Sequence, residues 1–185
     1  MQFNHFQRSL QKTFSEIPVN NIPDFYHFLF RQKRSSLYQK HFNMVTEEQK
    51  DIIKSSFPRV LIHTLKNGTM VYEKLFLDVP EAKELFKNTP MDKQGQMLVA
   101  AIGKIVKGLD HPEIFEKDLV ELAKRHIGYG LKPEYFTHFG NALINMFEVS
   151  LADNWNKDLH DAWVAVYQEV AGMMKGVIFA NQHSL

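Results

Sequence analysis

The stretch Leu119-Val-Glu-Leu-Ala-Lys-Arg-His-Ile-Gly-Tyr-Gly-Leu-Lys-Pro-Glu134 places a histidine at the end of an apolar helical stripe. Gly128 and Gly130 follow at once, and glycine at such a position is typical of the end of a helix. The imidazole of His126 is a candidate metal ligand. An isolated histidine at a helix end is more often a structural residue whose ring nitrogens form hydrogen bonds within the protein. Its assignment as a metal ligand therefore depends on the rest of the sequence.

Upstream of this histidine the chain also has helical periodicity. Thr46-Glu-Glu-Gln49 has the form of a capping box, in which the Thr and Gln side chains satisfy free backbone N–H groups of the first turn. Apolar residues recur behind it every three or four positions, and Pro58 within that stripe indicates a bend. We expect a separate second helix over about residues 68–78, ending before Pro80.

Further helices are predicted over about residues 92–109, 114–127, 133–150 and 157–180, after a short turn that carries Leu85 and Phe86. The alternating patterns and hairpin signals of β-strands do not occur in the sequence. The sequence therefore predicts an all-α domain of six to eight helices.

Composition narrows the class of protein. The 185 residues contain no cysteine, which excludes disulfides, zinc–thiolate sites, iron–sulfur clusters and cofactors linked through cysteine. The formal net charge of +1 gives no reason to expect nucleic acid as a partner. No run approaches the roughly 20 apolar residues of a membrane-spanning helix, and no secretory cleavage pattern occurs. We expect a cytoplasmic protein.

A change of composition near residue 43 predicts two parts: an extension, residues 1–43, and a domain, residues 44–185. The extension has six Lys or Arg against two acidic residues, and seven of the fifteen Phe; the domain has sixteen basic and nineteen acidic residues. Apolar residues at helical spacing in the extension suit docking on an anionic membrane or on a partner protein. The alternatives are a helical extension that packs on the domain, and translation that starts at Met44.

From Met44 to about Gln182 the chain resembles globins of the bacterial single-domain and flavohaemoglobin type. The resemblance covers about three quarters of the protein, in order and with nearly the expected spacings. The residues that carry it are Tyr72, Phe76, Pro80, Phe86, Lys93-Gln-Gly-Gln96, the Leu-Ala-Lys-Arg-His126 run, Lys132-Pro-Glu134, Asp161-Ala-Trp163 and Tyr167. It implies a globin fold that encloses a haem.

The resemblance gives His126 the role of the proximal iron ligand, with its second ring nitrogen bonded to the Leu122 carbonyl one turn earlier. It places Phe86 flat against the porphyrin, and Leu98 and Leu122 along the apolar faces of the haem pocket. Because the chain has no cysteine, the cofactor would be a non-covalent haem b.

On the opposite side of the haem the resemblance implies a distal pair, Tyr72 and Gln94. O₂ gains negative charge when it binds ferrous iron, so hydrogen-bond donors on this side would hold it. One additional residue between Phe86 and Leu98 leaves the register open, and Gly95 or Gln96 is the alternative to Gln94.

The sequence also departs from the pattern. Flavohaemoglobin-type globins often support the proximal histidine with a Tyr and a Glu. By its spacing to Gly140 the Tyr position corresponds here to Phe136, with Tyr135 adjacent, and the Glu position falls near Ile178. The sequence contains no flavin or nicotinamide motif, and we expect no reductase domain after the last helix, so repeated redox turnover would need an external reductase.

Three functions remain open. We rank first a carrier, store or scavenger that reversibly binds O₂, with NO and CO as further candidate ligands. A nitric oxide dioxygenase that depends on a separate reductase comes second. A haem-based sensor acting through residues 1–43 comes third. This ranking favours a binding protein over an enzyme.

Overall fold

The computed structural model describes residues 45–179, apart from the side chains of residues 63–67 and 113. Five α-helices and two 3₁₀-helices make up this part of the chain: α1 (Glu47–Asp78), a first 3₁₀-helix (Pro80–Phe86), α2 (Met91–Gly108), α3 (Pro112–His126), α4 (Tyr135–Leu151), a second 3₁₀-helix (Ala152–Asn154) and α5 (Lys157–Ile178). The prediction of an all-α domain with six to eight helices is confirmed. The expectations for residues 1–43 lie outside the described residues.

The helix termini follow the local signals of the sequence. Thr46 is the N-cap of α1, and both bonds of the capping box with Gln49 are present. Helix α3 ends at His126, and Gly128 and Gly130 follow with φ angles of +85° and +77°. A residue with a Cβ adopts such angles only with strain, so glycine is required at both positions.

The prediction of a separate helix beginning near residue 68 is wrong. Helix α1 runs without interruption from Glu47 to Asp78, through both Pro58 and Gly68. A proline within a helix removes one backbone hydrogen bond and bends the helix, but packing of the rest of the helix can outweigh that cost. Gly68 likewise lies within α1, where it makes a close backbone contact with Gly95 of α2.

Helix α1 is the centre of the fold and packs against α2, α4 and α5, while α3 packs against α2 and α5. The most deeply buried large side chains include Ile53 on α1 and Phe147 on α4. The Trp163 ring of α5 lies 4.4 Å from the Phe147 ring, and its indole N–H donates to the Ser56 hydroxyl over 3.3 Å. These contacts join α1, α4 and α5 in one core. Among residues 45–179, no helix is both long and apolar enough to cross a membrane.

Candidate functional site

The site begins at a crossing of two glycines. A Cβ added to Gly68 on α1 would lie 3.1 Å from the Gly95 carbonyl oxygen, and one added to Gly95 would lie 3.2 Å from the Gly68 carbonyl carbon. Contacts this tight are uncommon for real Cβ atoms and would have to be relieved by movement of backbone, so glycine at both positions allows the two helices to approach this far. The crossing brings the next turn of α1, which carries Tyr72, beside the residue that precedes Gly95.

That residue is Gln94, and its amide Nε2 donates a hydrogen bond to the Tyr72 hydroxyl oxygen over 3.0 Å. Gln94 is half-buried, whereas Gly95 is buried in the crossing and Gln96 is exposed. Of the three residues that the sequence left open, Gln94 is therefore the one that the structure brings together with Tyr72. Their role as donors to a gas ligand stays a prediction.

Tyr72 is enclosed by aromatic rings. Its side chain is 3% exposed, and its ring centroid lies 5.3 Å from that of Phe86 and 6.1 Å from that of Phe139, both in edge-to-face arrangements. Burial raises the pKa of Tyr72 to about 12, and the hydrogen bond from Gln94 only partly opposes this increase. The hydroxyl therefore keeps its proton at any physiological pH and can act as a donor.

His126 is the last residue of α3 and is half-buried. Its Nδ1 lies 2.8 Å from the Leu122 carbonyl oxygen, so the hydrogen bond expected from the sequence is present. A carbonyl can only accept, which means that Nδ1 carries the proton and Nε2 keeps its lone pair in the neutral ring. This tautomer is the one that leaves Nε2 able to bind a metal.

The predicted apolar pocket residues Phe86, Leu98 and Leu122 are all half-buried, on three different helical elements. Phe86 joins the aromatic group around Tyr72. Among the described residues, no hydrogen bond or ring contact connects His126, Leu98 or Leu122 with Tyr72 or Gln94. The structure thus brings Tyr72, Gln94 and Phe86 together, whereas His126 and Leu122 lie on α3 and Leu98 lies on α2.

The loop after His126 contacts the first 3₁₀-helix. A Cβ on Gly130 would lie 3.7 Å from a Leu85 methyl carbon, and the Lys132 ammonium lies 3.7 Å from a Glu81 carboxylate oxygen. The same ammonium lies 5.4 Å from the centre of the Tyr135 ring. These contacts connect the segment next to His126 with the element that carries Phe86, and no sequence pattern predicted them.

The positions that correspond to proximal support in flavohaemoglobin-type globins hold no polar side chain. Phe136 has no hydroxyl, and its backbone carbonyl accepts a hydrogen bond from the hydroxyl of Tyr167. Tyr167 in turn packs so tightly on α4 that a Cβ on Gly140 would come within 2.3 Å of its ring. Ile178 is buried and apolar. The described polar contact of His126 is therefore with a backbone carbonyl and not with a carboxylate.

A family model for globins matches residues 69–174, more than half of the chain, and this stretch includes Tyr72, Gln94 and His126. The chain belongs to the globin family. Its relatives include the flavohemoproteins of Deinococcus radiodurans (29% identical over 136 residues), Xylella fastidiosa (28% over 127 residues) and Rhizobium meliloti (26% over 136 residues). These alignments cover 72%, 67% and 72% of this globin, and 34%, 32% and 34% of the respective relatives. The globin thus spans about a third of the length of these curated relatives.

Membership of this family implies a haem cofactor, and the side chains present fit one. His126 offers a neutral imidazole with a free lone pair on Nε2, which is the usual axial ligand of a globin iron. Phe86, Leu98 and Leu122 offer apolar surface that the protein itself covers only in part. His126, Phe86, Leu98 and Leu122 are the residues that would hold the group.

Proposed function

We propose that this globin binds O₂ reversibly, with His126 on the proximal side of a non-covalent haem b and Tyr72 and Gln94 on the distal side. The observation that carries the proposal is the direction of the hydrogen bond between the distal residues. Gln94 donates to the Tyr72 oxygen, so the proton of the Tyr72 hydroxyl remains available for another acceptor. Tyr72 is the direct donor in this arrangement, and Gln94 orients it.

When bound, the haem would supply a ferrous iron that takes up diatomic gases. Tyr72 would donate a hydrogen bond to a ligand that becomes negatively charged, and CO gains less charge than O₂. A hydrogen bond to a charged group contributes about 1.5–3 kcal/mol, which corresponds to about 10- to 150-fold in affinity. Tyr72 therefore favours O₂ over CO.

On the other side, the hydrogen bond from His126 Nδ1 to the Leu122 carbonyl fixes the orientation of the ring and directs Nε2 to the metal side. A carboxylate partner would draw the proton from Nδ1 and make the ring a stronger electron donor. Phe136 and Ile178 supply no such group, so the proximal side suits reversible binding better than peroxidase-like chemistry.

The test is stopped-flow measurement of O₂ and CO dissociation from the reduced, haem-loaded protein. Tyr72→Phe should release O₂ about 10- to 150-fold faster and change CO release little. Gln94→Leu should have a smaller effect, and the double variant should resemble Tyr72→Phe because Gln94 acts through Tyr72. His126→Ala should abolish the absorption spectrum of the wild-type haem complex. A chain that retains no haem, or O₂ release that is unchanged in Tyr72→Phe, would contradict the proposal.

The second candidate is a nitric oxide dioxygenase, and the observation in its favour is the nature of the relatives. Their name, flavohemoprotein, couples a flavin with a haem, and this globin aligns with about a third of each. Tyr72 suits both functions, since a donor that slows O₂ release also stabilises the reacting ligand. Steady consumption of NO in the presence of a flavin reductase would favour the enzyme. A single stoichiometric oxidation that leaves ferric protein would favour the O₂ carrier.

A further inference from the structure

A cleft of about 480 Å³ lies where the last turns of α1 meet the first 3₁₀-helix. Its lining residues are Glu73, Phe76, Leu77, Pro80 and Lys83. Leu77 is 78% exposed, the largest exposure among the large apolar side chains of the described chain. A single exposed leucine is ordinary on a protein surface, but here it lies beside Phe76 and Pro80 on a concave, largely apolar surface, as in access sites.

Phe76 belongs both to the cleft and to the aromatic group of the distal site. Its ring centroid lies 5.5 Å from that of Phe86 and 6.4 Å from that of Tyr72. The same aromatic side chain therefore lines the cleft and contacts the aromatic group that contains Tyr72. Because Phe76 is itself only half-buried, rotation of its ring toward the cleft meets less resistance than rotation within a packed core.

The chemistry of the lining selects the class of molecule that can use the cleft. Phe76, Leu77 and Pro80 are apolar, and the charges of Glu73 and Lys83 have opposite signs. The lining therefore favours neither cations nor anions, but it suits small neutral molecules of low polarity. The volume is many times that of a diatomic gas, so the cleft fits a passage or a place of transient accumulation better than a tight binding site.

We propose that this cleft is the vestibule through which diatomic gases reach Tyr72, and that Phe76 is the gate between them. The inference rests on the proposed O₂-binding function and deepens it by assigning the route. A gate differs kinetically from a ligand-binding residue. Replacing a gate residue changes the energy barrier to gas passage but not the energies of the free and bound states. The rate constants of association and dissociation therefore change by the same factor, and the affinity stays the same.

The experiment is laser flash photolysis and stopped-flow mixing of the haem-loaded protein with CO and with O₂. Phe76→Leu should increase association and dissociation together, by about two- to tenfold, the factor expected when one off-rotamer ring no longer has to move. Leu77→Trp should fill the cleft and slow both processes while leaving Phe76 in place. Val149→Trp, at an exposed aliphatic residue of α4 that does not line the cleft, is the control and should change neither.

Dissolved xenon provides a readout that does not depend on gas kinetics. Xenon should perturb the NMR signals of the Leu77 methyl groups in the wild-type protein, and Phe76→Leu should extend the perturbation to the ring of Tyr72. Absence of any perturbation at Leu77 would overturn the assignment of the cleft as a gas site.

The kinetic outcomes separate failure of this inference from failure of the proposed function. Protein that binds no haem or no gas contradicts the proposed function, and the gate with it. Normal gas binding with unchanged rates in Phe76→Leu and Leu77→Trp overturns the gate alone. Faster O₂ dissociation without faster association in Phe76→Leu would also overturn it, because Phe76 would then be a support for the Tyr72 hydrogen bond.

Discussion

Replacing Gly95 with alanine should destabilise the protein, although alanine is the better helix former. In an open helical position the change from Gly to Ala contributes about 1 kcal/mol of stability. At Gly95 the new methyl group would lie 3.2 Å from the Gly68 carbonyl carbon and 3.3 Å from the Thr69 nitrogen. Both are backbone atoms of α1, which cannot rotate away as a side chain could.

The helices would have to separate at the crossing. Overpacking of this kind typically costs about 1–3 kcal/mol, and the backbone contacts place this case in the upper half of that range. After subtraction of the gain in helix propensity, we expect a net loss of about 1–2 kcal/mol in the free energy of unfolding. Separation should also lengthen the 3.0 Å hydrogen bond between Gln94 and Tyr72.

Urea unfolding of the wild-type and variant proteins measures this change. Gly172→Ala is the matched control, since Gly172 is an exposed residue of α5 and a Cβ there would meet no atom within 4 Å. We expect this control to be more stable than the wild type by up to about 1 kcal/mol, so the two variants should differ by about 2–3 kcal/mol. A Gly95→Ala protein as stable as Gly172→Ala would refute the reasoning.

Three further predictions concern other parts of the domain. Burial raises the pKa of Glu169 from 4.5 to about 7, so the folded protein keeps a proton that the unfolded chain releases, and stability falls as pH rises through this interval. Glu169→Gln should therefore unfold at higher urea than the wild type at pH 8 and lose that advantage near pH 4.5. Ser56→Ala leaves the buried Trp163 N–H without its partner, which should lower the free energy of unfolding by about 1–3 kcal/mol. In a double-mutant cycle, the variant that also carries Trp163→Phe should lose less stability than the sum of the two single variants. Lys132→Met should accelerate haem transfer to an apoglobin acceptor by no more than a few-fold, because its ion pair is exposed; a much larger effect would mean that this contact closes the haem pocket.

The helix termini could be predicted from the sequence because their signals are local. Thr46 and Gln49 are three residues apart, and the capping box needs no other part of the chain. Gly128 and Gly130 likewise act through their own backbone angles. The continuity of α1 could not be predicted in this way, because whether Pro58 ends a helix or bends it depends on packing that the pattern does not reveal.

The pairing of Tyr72 with Gln94 is a different case, because 22 residues separate them in the chain. Only the family resemblance brought them together, and it left the register open between Gln94 and its neighbours. The register follows from the crossing of Gly68 and Gly95, a contact between two helices. Within the sequence Gly68 suggested the start of a helix, so the residue that sets the geometry of the site was misread.

The contacts around Tyr72 show why the site needs the structure as well as the family pattern. Phe139 belongs to α4, and in the sequence it is one apolar residue of an amphipathic helix. Its edge-to-face contact with Tyr72 contributes to the burial that raises the Tyr72 pKa to about 12. The enclosure of Tyr72 therefore depends on α4 as well as on α2, the helix of Gln94. Phe139→Ala would expose the ring to water and lower the pKa toward 10, which makes the ultraviolet titration of the phenol a direct measure of how completely the distal site is closed.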